Sequence, residues 1–202
     1  MNYLAHALLS FNQEEILVGN MLGDFVKGKN YLKFSLPFQH GILLHRFIDR
    51  TTDEHHIVND AMSVFKPTFL LSAGVFTDIF FDHFLANDKR YFNETSLHEF
   101  TNSTYNTLDK HSHLFDENMT TFFSYMTKYN WLFHYKDIEG IEKSVRGICK
   151  RYPRLGDAEK ALAMFKDNYD ILKIKFEIFF PLLMESSKQK LAELIIAPHS
   201  SL

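Results

Sequence analysis

The chain has little of what most folds use to turn or to staple themselves. Of its 202 residues only Cys149 is a cysteine, which excludes an intramolecular disulfide framework and a cysteine-rich zinc site and fits a reducing compartment, by default the cytoplasm. Glycine (8) and proline (5) are both scarce, so tight turns are few and the segments between them long. Neither sign of charge dominates: 22 basic against 25 acidic side chains leave a net charge of −3, which gives no global field for nucleic acid. No apolar run reaches the ~18 to 20 uninterrupted residues that span a bilayer. The opening stretch from Met1 to Ser10 lacks the basic flank of a secretory leader and is interrupted by His6. There is no Ser/Gly tract, charge block or internal repeat to mark a linker, so residues 1–202 read as one domain, with 197–202 as a frayed tail.

What is abundant is aromatic: 21 Phe and 9 Tyr, in segments with helical rather than alternating periodicity. The expectation is an all-α, single-domain helical bundle with helices near 2–10, 13–27, 37–52, 54–66, 69–87, 94–112, 117–133, 137–151, 157–180 and 182–195. Pro37 and Pro67 sit near helix starts, Asn12 and Ser72 can cap, Lys29-Asn30 reads as a connection, and Pro153 with Gly156 breaks the chain. Pro181 lacks an amide donor and crowds the preceding turn, which predicts a break between 180 and 182.

Carboxylates and imidazoles lie in this apolar sequence in three packets. His45, Asp49 and Asp53 are four apart and stack along one stripe of a helix, where they can offer nitrogen and oxygen to one ion; as a plain alternative they form surface pairs with Arg46 and Arg50. Asp78 and Asp82 repeat the spacing inside a Phe-rich segment that gives them no polar face. A buried ionised carboxylate costs several kcal/mol, roughly, unless paired. A metal, an arginine or the end of another helix would each supply a partner. His83 is a ligand, a proton shuttle or a hydrogen-bonded core residue. His6 and Asp24 complete the set, and Gly19 and Gly23, four apart, let another helix or a ligand approach the same strip closely. Six of the eleven histidines fall in the first 83 residues, beside these aspartates.

Mixed imidazole and carboxylate ligands suit Mn, Fe, Mg or Zn with positions left open. An ion so held would polarise a phosphoryl oxygen and acidify a bound water, and no glycine-rich phosphate loop or nucleophile elbow points to another route. Metal-dependent hydrolysis is therefore the leading reaction class. Arg46 and Arg50 are placed to clamp phosphate oxygens, with Asp24 and His83 among the acid–base candidates. Lys27, Lys29, Lys33 and Arg50 make a local basic surface near the site. Trp131 reads as core or helix edge, Cys149 as a small buried hydrophobe, His111 and His113 as exposed, and His55 and His56 as pointing apart on a helix.

The order of motifs adds to this. Met1-Asn2-Tyr3-Leu4-Ala5-His6, Gly19-Asn20-x-Leu22-x-Asp24-Phe25-Val26-x-Gly28, Gly41-Ile42-x-x-His45-Arg46-x-Ile48-Asp49-x-x-Thr52-Asp53 and Asp82-His83-Phe84-Leu85 resemble the acyl carrier protein phosphodiesterase family. So do Trp131-Leu132-x-x-Tyr135-x-Asp137, Arg151-x-Pro153-Arg154-Leu155 and Phe179-x-Pro181-x-x-Met184, so the resemblance spans nearly the whole chain. It implies hydrolysis of the phosphodiester that joins 4′-phosphopantetheine to a serine of holo acyl carrier protein, with a divalent metal, Mn²⁺ favoured and Mg²⁺, Fe²⁺ or Zn²⁺ alternatives. It also implies a helical fold distantly related to HD-domain phosphohydrolases, although the chain has Asp82-His83 and no His-Asp dipeptide. Carried over by motif, the metal and site candidates are His6, Asp24, His45, Asp49, Asp53, Asp82 and His83; Asp78 joins them through its spacing to Asp82. A strongly acidic carrier protein would dock on the basic surface. Two rivals remain: a phosphohydrolase of nucleotides or other small phosphodiesters, and a non-catalytic helical binding protein whose buried acids pair with Arg46 and Arg50.

Overall fold

A computed structural model describes residues 1–196, and no strand occurs among them. Twelve α-helices follow in order: α1 (Tyr3–Leu8), α2 (Glu14–Leu22), α3 (Leu36–Glu54), α4 (His56–Met62), α5 (Lys66–Phe69), α6 (Ala73–Ala86), α7 (Glu94–Lys110), α8 (Glu117–Lys128), α9 (Trp131–His134), α10 (Ile138–Arg151), α11 (Ala158–Asp167) and α12 (Tyr169–Ile196). The expected all-α bundle is the fold; the expected frayed tail, 197–202, lies outside the described residues.

Two packing arrangements position everything else. α2 and α3 touch backbone to backbone: a Cβ on Gly19 would collide with the Phe38 carbonyl oxygen, and one on Gly41 with that of Ile16. This glycine crossing brings the ends of the two helices close enough to share a site. α6 runs through the centre, with Phe76, Phe80 and Phe81 fully buried and the Phe80 ring stacked on Phe165 at 4.0 Å. α6 is flanked by α1, α4, α10 and α12. The stretch Lys66–Ala86 is long and apolar enough by composition to cross a membrane, yet 67% of its apolar 18-residue window is buried inside the fold and Leu70, at φ 45°, interrupts it.

The helix boundaries depart from expectation where local chemistry competes with the ladder. α2 ends at Leu22 rather than near 27, because Gly23 to Val26 turn back onto Asn20 and Leu22. α3 continues to Glu54; the break falls at His55, whose Nδ1 accepts from Ile57 N–H and so caps α4. The His55 and His56 rings consequently stack at 4.7 Å instead of pointing apart. The expected 117–133 helix breaks at Asn130, in left-handed backbone at φ 46°, and the expected 157–180 helix at Asn168, whose amide donates to the Met164 carbonyl. The predicted break at Pro181 is wrong: α12 runs through it. Proline leaves the Glu177 carbonyl without its i+4 donor, and Arg90 Nη1 approaches that oxygen at 3.5 Å, while Phe179, Phe180 and Leu183 bury the helix on both sides of the proline.

Candidate metal centre

α1 has six residues, and Asn2 before it makes no capping bond. The cap comes from α6 instead: Asp82 Oδ2 accepts from Leu4 N–H at 2.7 Å and Asp82 Oδ1 from Ala5 N–H at 3.1 Å. A carboxylate on the positive end of α1 satisfies two otherwise orphaned donors and fixes the helix so that His6 is presented to α2 and α3. Of the alternatives open to a buried acid, capping another helix is the one Asp82 takes.

His6 then bridges two helices. Its Nδ1 lies 2.8 Å from Asn20 Oδ1 in α2, and its Nε2 lies 3.1 Å from Asp49 Oδ1 in α3. His45, one turn before Asp49, sets Nε2 3.0 Å from Asp49 Oδ2 and 3.5 Å from Asp24 Oδ1. The two imidazoles stack at 4.1 Å with a 20° tilt. Gly23 permits this, since a Cβ there would run into the His45 ring. Asp24, next in the chain, is held by the Tyr3 hydroxyl, which donates to Oδ2 at 2.9 Å. The α-ammonium of Met1 lies 3.5 Å from Asp49 Oδ1 and 3.4 Å from Asp78 Oδ1.

These contacts bias the charges. Burial works to raise Asp24 and Asp49, but the bonds from His45, with His6 beside them, outweigh it: Asp24 falls to about 2 and Asp49 drops well below the carboxylate range. Burial works against a charged His45, yet its bonds to Asp24 and Asp49 lift it to about 9. Burial and the neighbouring His45 charge lower His6. The centre thus pairs one imidazolium and one neutral imidazole with two carboxylates. Burial, joined by the charges of Asp49 and Asp53, pushes Asp78 up to about 6 against the pull of the Met1 ammonium. Burial pushes Asp82 up to about 7 against the two α1 amides that bond it, and partial burial with the charges of Asp49 and Glu54 raises Asp53.

One nitrogen from each of His6 and His45 and one oxygen of Asp49 lie within 4.8 Å of one another. The two imidazoles reach different oxygens of Asp49, His45 Nε2 at 3.0 Å from Oδ2 and His6 Nε2 at 3.1 Å from Oδ1, so both nitrogens and the carboxylate would be the groups to hold an ion there. The remaining His45 nitrogen, Nδ1, is buried without a hydrogen-bond partner among the described residues, so Nε2 is its working atom. The donor set therefore fits a divalent ion.

The other candidates fall in different places. Asp53 lies one turn beyond Asp49 on the same stripe and is exposed, while Asp78 faces the Met1 ammonium at the edge of the cluster. The structure does not bring His83 to the centre. Adjacent to Asp82 on α6, it points elsewhere, with Nδ1 2.8 Å from the Tyr135 carbonyl and Nε2 3.0 Å from the Tyr169 hydroxyl. Neither arginine pairs with the buried acids. Arg46 Nη2 donates to the Val26 and Gly28 carbonyls at 2.9 and 2.8 Å and its guanidinium lies over Tyr31, tying down the segment after Asp24. Arg50 is exposed, as are Lys27, Lys29 and Lys33 on the turn Gly28–Lys33 and its approach. His111, expected to be exposed, is partly buried, with Nε2 2.7 Å from Glu14 Oε1. Sequence reasoning gave no role to Tyr3 or to the Asn20 side chain. The readable signal was Asn20 itself, an amide in the apolar run Gly19–Gly23 that had to find partners once buried.

Residues 1–183 match the family described as acyl carrier protein phosphodiesterase. Curated proteins of that name match along the length of the chain. The one from Escherichia coli O6:H1 is 32% identical over 196 residues, covering 94% of this chain and 99% of its own. That from Serratia proteamaculans is 30% identical over 191 residues, covering 94% and 99%, and that from Photorhabdus laumondii 29% over 191 residues, covering 94% and 96%. No solved structure matches. With its site residues on α1, α2, α3, α6 and the turn after α2, all inside the matched span, the chain belongs to the acyl carrier protein phosphodiesterase family.

Proposed function

We propose that this protein hydrolyses the phosphodiester between 4′-phosphopantetheine and the serine of holo acyl carrier protein, giving apo carrier protein, with a divalent ion held by His6, His45, Asp49 and Asp24. Mn²⁺ is the favoured ion for this nitrogen and oxygen set, with Mg²⁺, Fe²⁺ or Zn²⁺ able to take its place. The observation that carries the reading is the convergence of two imidazoles and a carboxylate within 4.8 Å in a chain of this family. When bound, such an ion polarises the phosphoryl oxygens and lowers the pKa of an attacking water. Arg50, exposed one residue after Asp49, is free to hold a non-bridging oxygen. As the bond from phosphorus to the serine oxygen breaks, the leaving alkoxide needs a proton. Asp78, whose carboxyl burial pushes up to about 6, is the donor at the edge of the cluster. Tyr3 holds Asp24 in place, Asp53 extends the acidic rim, and Asp82 and His83 support the site from the helix end and from the core.

The acidic carrier protein docks on Lys27, Lys29, Lys33 and Arg50, which lie beside Asp24 and Asp49 in the chain. The buried free thiol of Cys149 agrees with the reducing cytoplasm as the place of action. Purified protein with Mn²⁺ should lower the mass of holo carrier protein by one phosphopantetheine. Unchanged mass with Mn²⁺, Mg²⁺, Fe²⁺ and Zn²⁺ in turn would overturn the reading, and nucleotide turnover in its place would indicate a different phosphohydrolase.

A further inference from the structure

Asn20 is fully buried and makes three side-chain hydrogen bonds, which together leave it one orientation. Its Nδ2 donates to the His6 carbonyl at 2.9 Å and to Ser10 Oγ at 3.1 Å. Ser10 has a single proton and spends it on the same His6 carbonyl, at 2.8 Å, so its oxygen is an acceptor toward Asn20. Rotating the Asn20 amide by half a turn would set its oxygen against two acceptors. The amide oxygen must therefore face His6 Nδ1, 2.8 Å away, and that nitrogen must carry a proton. In a neutral imidazole this leaves Nε2 bare, 3.1 Å from Asp49 Oδ1. Two lone pairs then point into the same space, an arrangement that repels unless a cation lies between them.

We propose that Asn20 is a positioning residue that fixes the His6 tautomer, so that Nε2 is the nitrogen offered to a divalent ion between α1 and α3. Its claim on an ion rests on the metal reading above, whereas its claim on the tautomer does not. Ser10 acts through Asn20, as the acceptor that prevents the amide from turning. The arrangement parallels the general use of a hydrogen bond at one imidazole nitrogen to orient the other toward a metal, here supplied by a neutral amide in place of a carboxylate.

The test uses the full chain with ¹⁵N-labelled histidine. In ion-free protein, at a pH where His6 is neutral, the His6 ring should show a protonated Nδ1 and a bare Nε2, and adding diamagnetic Zn²⁺ should shift Nε2. Asn20→Leu, close in volume, should mix the tautomers and weaken Mn²⁺ binding in calorimetry by about 10- to 100-fold. Asn20→Asp keeps an acceptor toward Nδ1 and should hold the tautomer, while its second oxygen, set against the His6 carbonyl and Ser10 Oγ, should lower the urea midpoint. A proton found on Nε2 of the parent protein overturns the proposal. So does a folded Asn20→Leu protein with parental Mn²⁺ affinity. Should Asn20→Leu fail to fold, the parent spectrum and Asn20→Asp still decide. If the parent shows the Nδ1 tautomer but binds no divalent ion, the metal reading fails while the tautomer assignment stands.

Discussion

The stripe His45, Asp49 on α3 and the stripe Asp78, Asp82 on α6 have the same four-residue spacing, yet they end in opposite environments. On α3 the carboxylate faces other side chains: Asp49 meets His6, His45 and the Met1 ammonium, remains 38% exposed and is held ionised. On α6 the carboxylate faces backbone: Asp82 is fully buried, meets two amides of α1, and is pushed toward its neutral form. The first arrangement keeps lone pairs and charge available at a partly exposed position, and the second consumes them to hold a helix end. Spacing alone sets which residues share a face; what the face meets decides whether it does chemistry or architecture.

Substitutions at the two positions should break apart accordingly. Asp49→Asn removes the charged partner of both imidazoles and, on the proposed reading, a ligand to the ion. A lost ion is worth several kcal/mol of transition-state stabilisation, so turnover of holo carrier protein should fall by roughly 10³-fold while the helical circular dichroism signal remains. Asp82→Asn keeps one acceptor and loses the other. It should lower stability by about 1–3 kcal/mol, read as an earlier urea midpoint, with turnover per folded molecule within about ten-fold of the parent. If Asp82→Asn abolished turnover without moving the midpoint, the division between the two stripes would be wrong.

That division also marks what was readable in the residues. The helical fold and the presence of a His/Asp site followed from composition, from the four-residue spacings and from the order of motifs. The partners of Asp82 were not readable, because the two amides it caps lie 77 and 78 residues away in sequence and backbone amides carry no residue-specific signature. His83 was ambiguous for a related reason: Tyr169, 86 residues on, claims one of its nitrogens. Pro181 misled through a local rule that tertiary packing overrode, once Arg90 reached the carbonyl the proline had freed.

Acidity offers a finer test of the comparison in ion-free protein. Asp78 and Asp82 are raised to about 6 and about 7, so between pH ~4 and 7 the folded state holds more protons than the unfolded one. Their contribution is therefore present at low pH and lost as pH rises. His45, raised to about 9, contributes fully below ~6.5 and loses its contribution as pH climbs through 9. Asp24, lowered to about 2, works in the other direction and is lost only as pH falls from ~4 to 2. The urea midpoint with chelator present should thus decline steadily from pH 5 to 9. Asp82→Asn should flatten the part between 5 and 7 and leave the part above 7, where His45 titrates. A midpoint that rose across this range would remove the charge assignments of both stripes.

The smallest effect expected concerns the two arginines of α3, four residues apart like the acids. Arg46 is bound to two carbonyls of the segment after Asp24, so Arg46→Lys, which offers a point charge in place of a fixed fork, should loosen that segment and disturb Asp24. Lys27, Lys29, Lys33 and Arg50 are exposed, where single charges contribute below ~1 kcal/mol and are screened by salt. Reversing the three lysines to glutamate should raise KM for holo carrier protein by about ten-fold at low salt, leave kcat unchanged, and shrink to a few-fold at high ionic strength. A change confined to kcat would place these lysines in the chemistry instead. An unchanged KM would move the docking surface away from this turn, while leaving the His6, His45 and Asp49 centre intact, because docking charge and ion binding are separable measurements on the same protein.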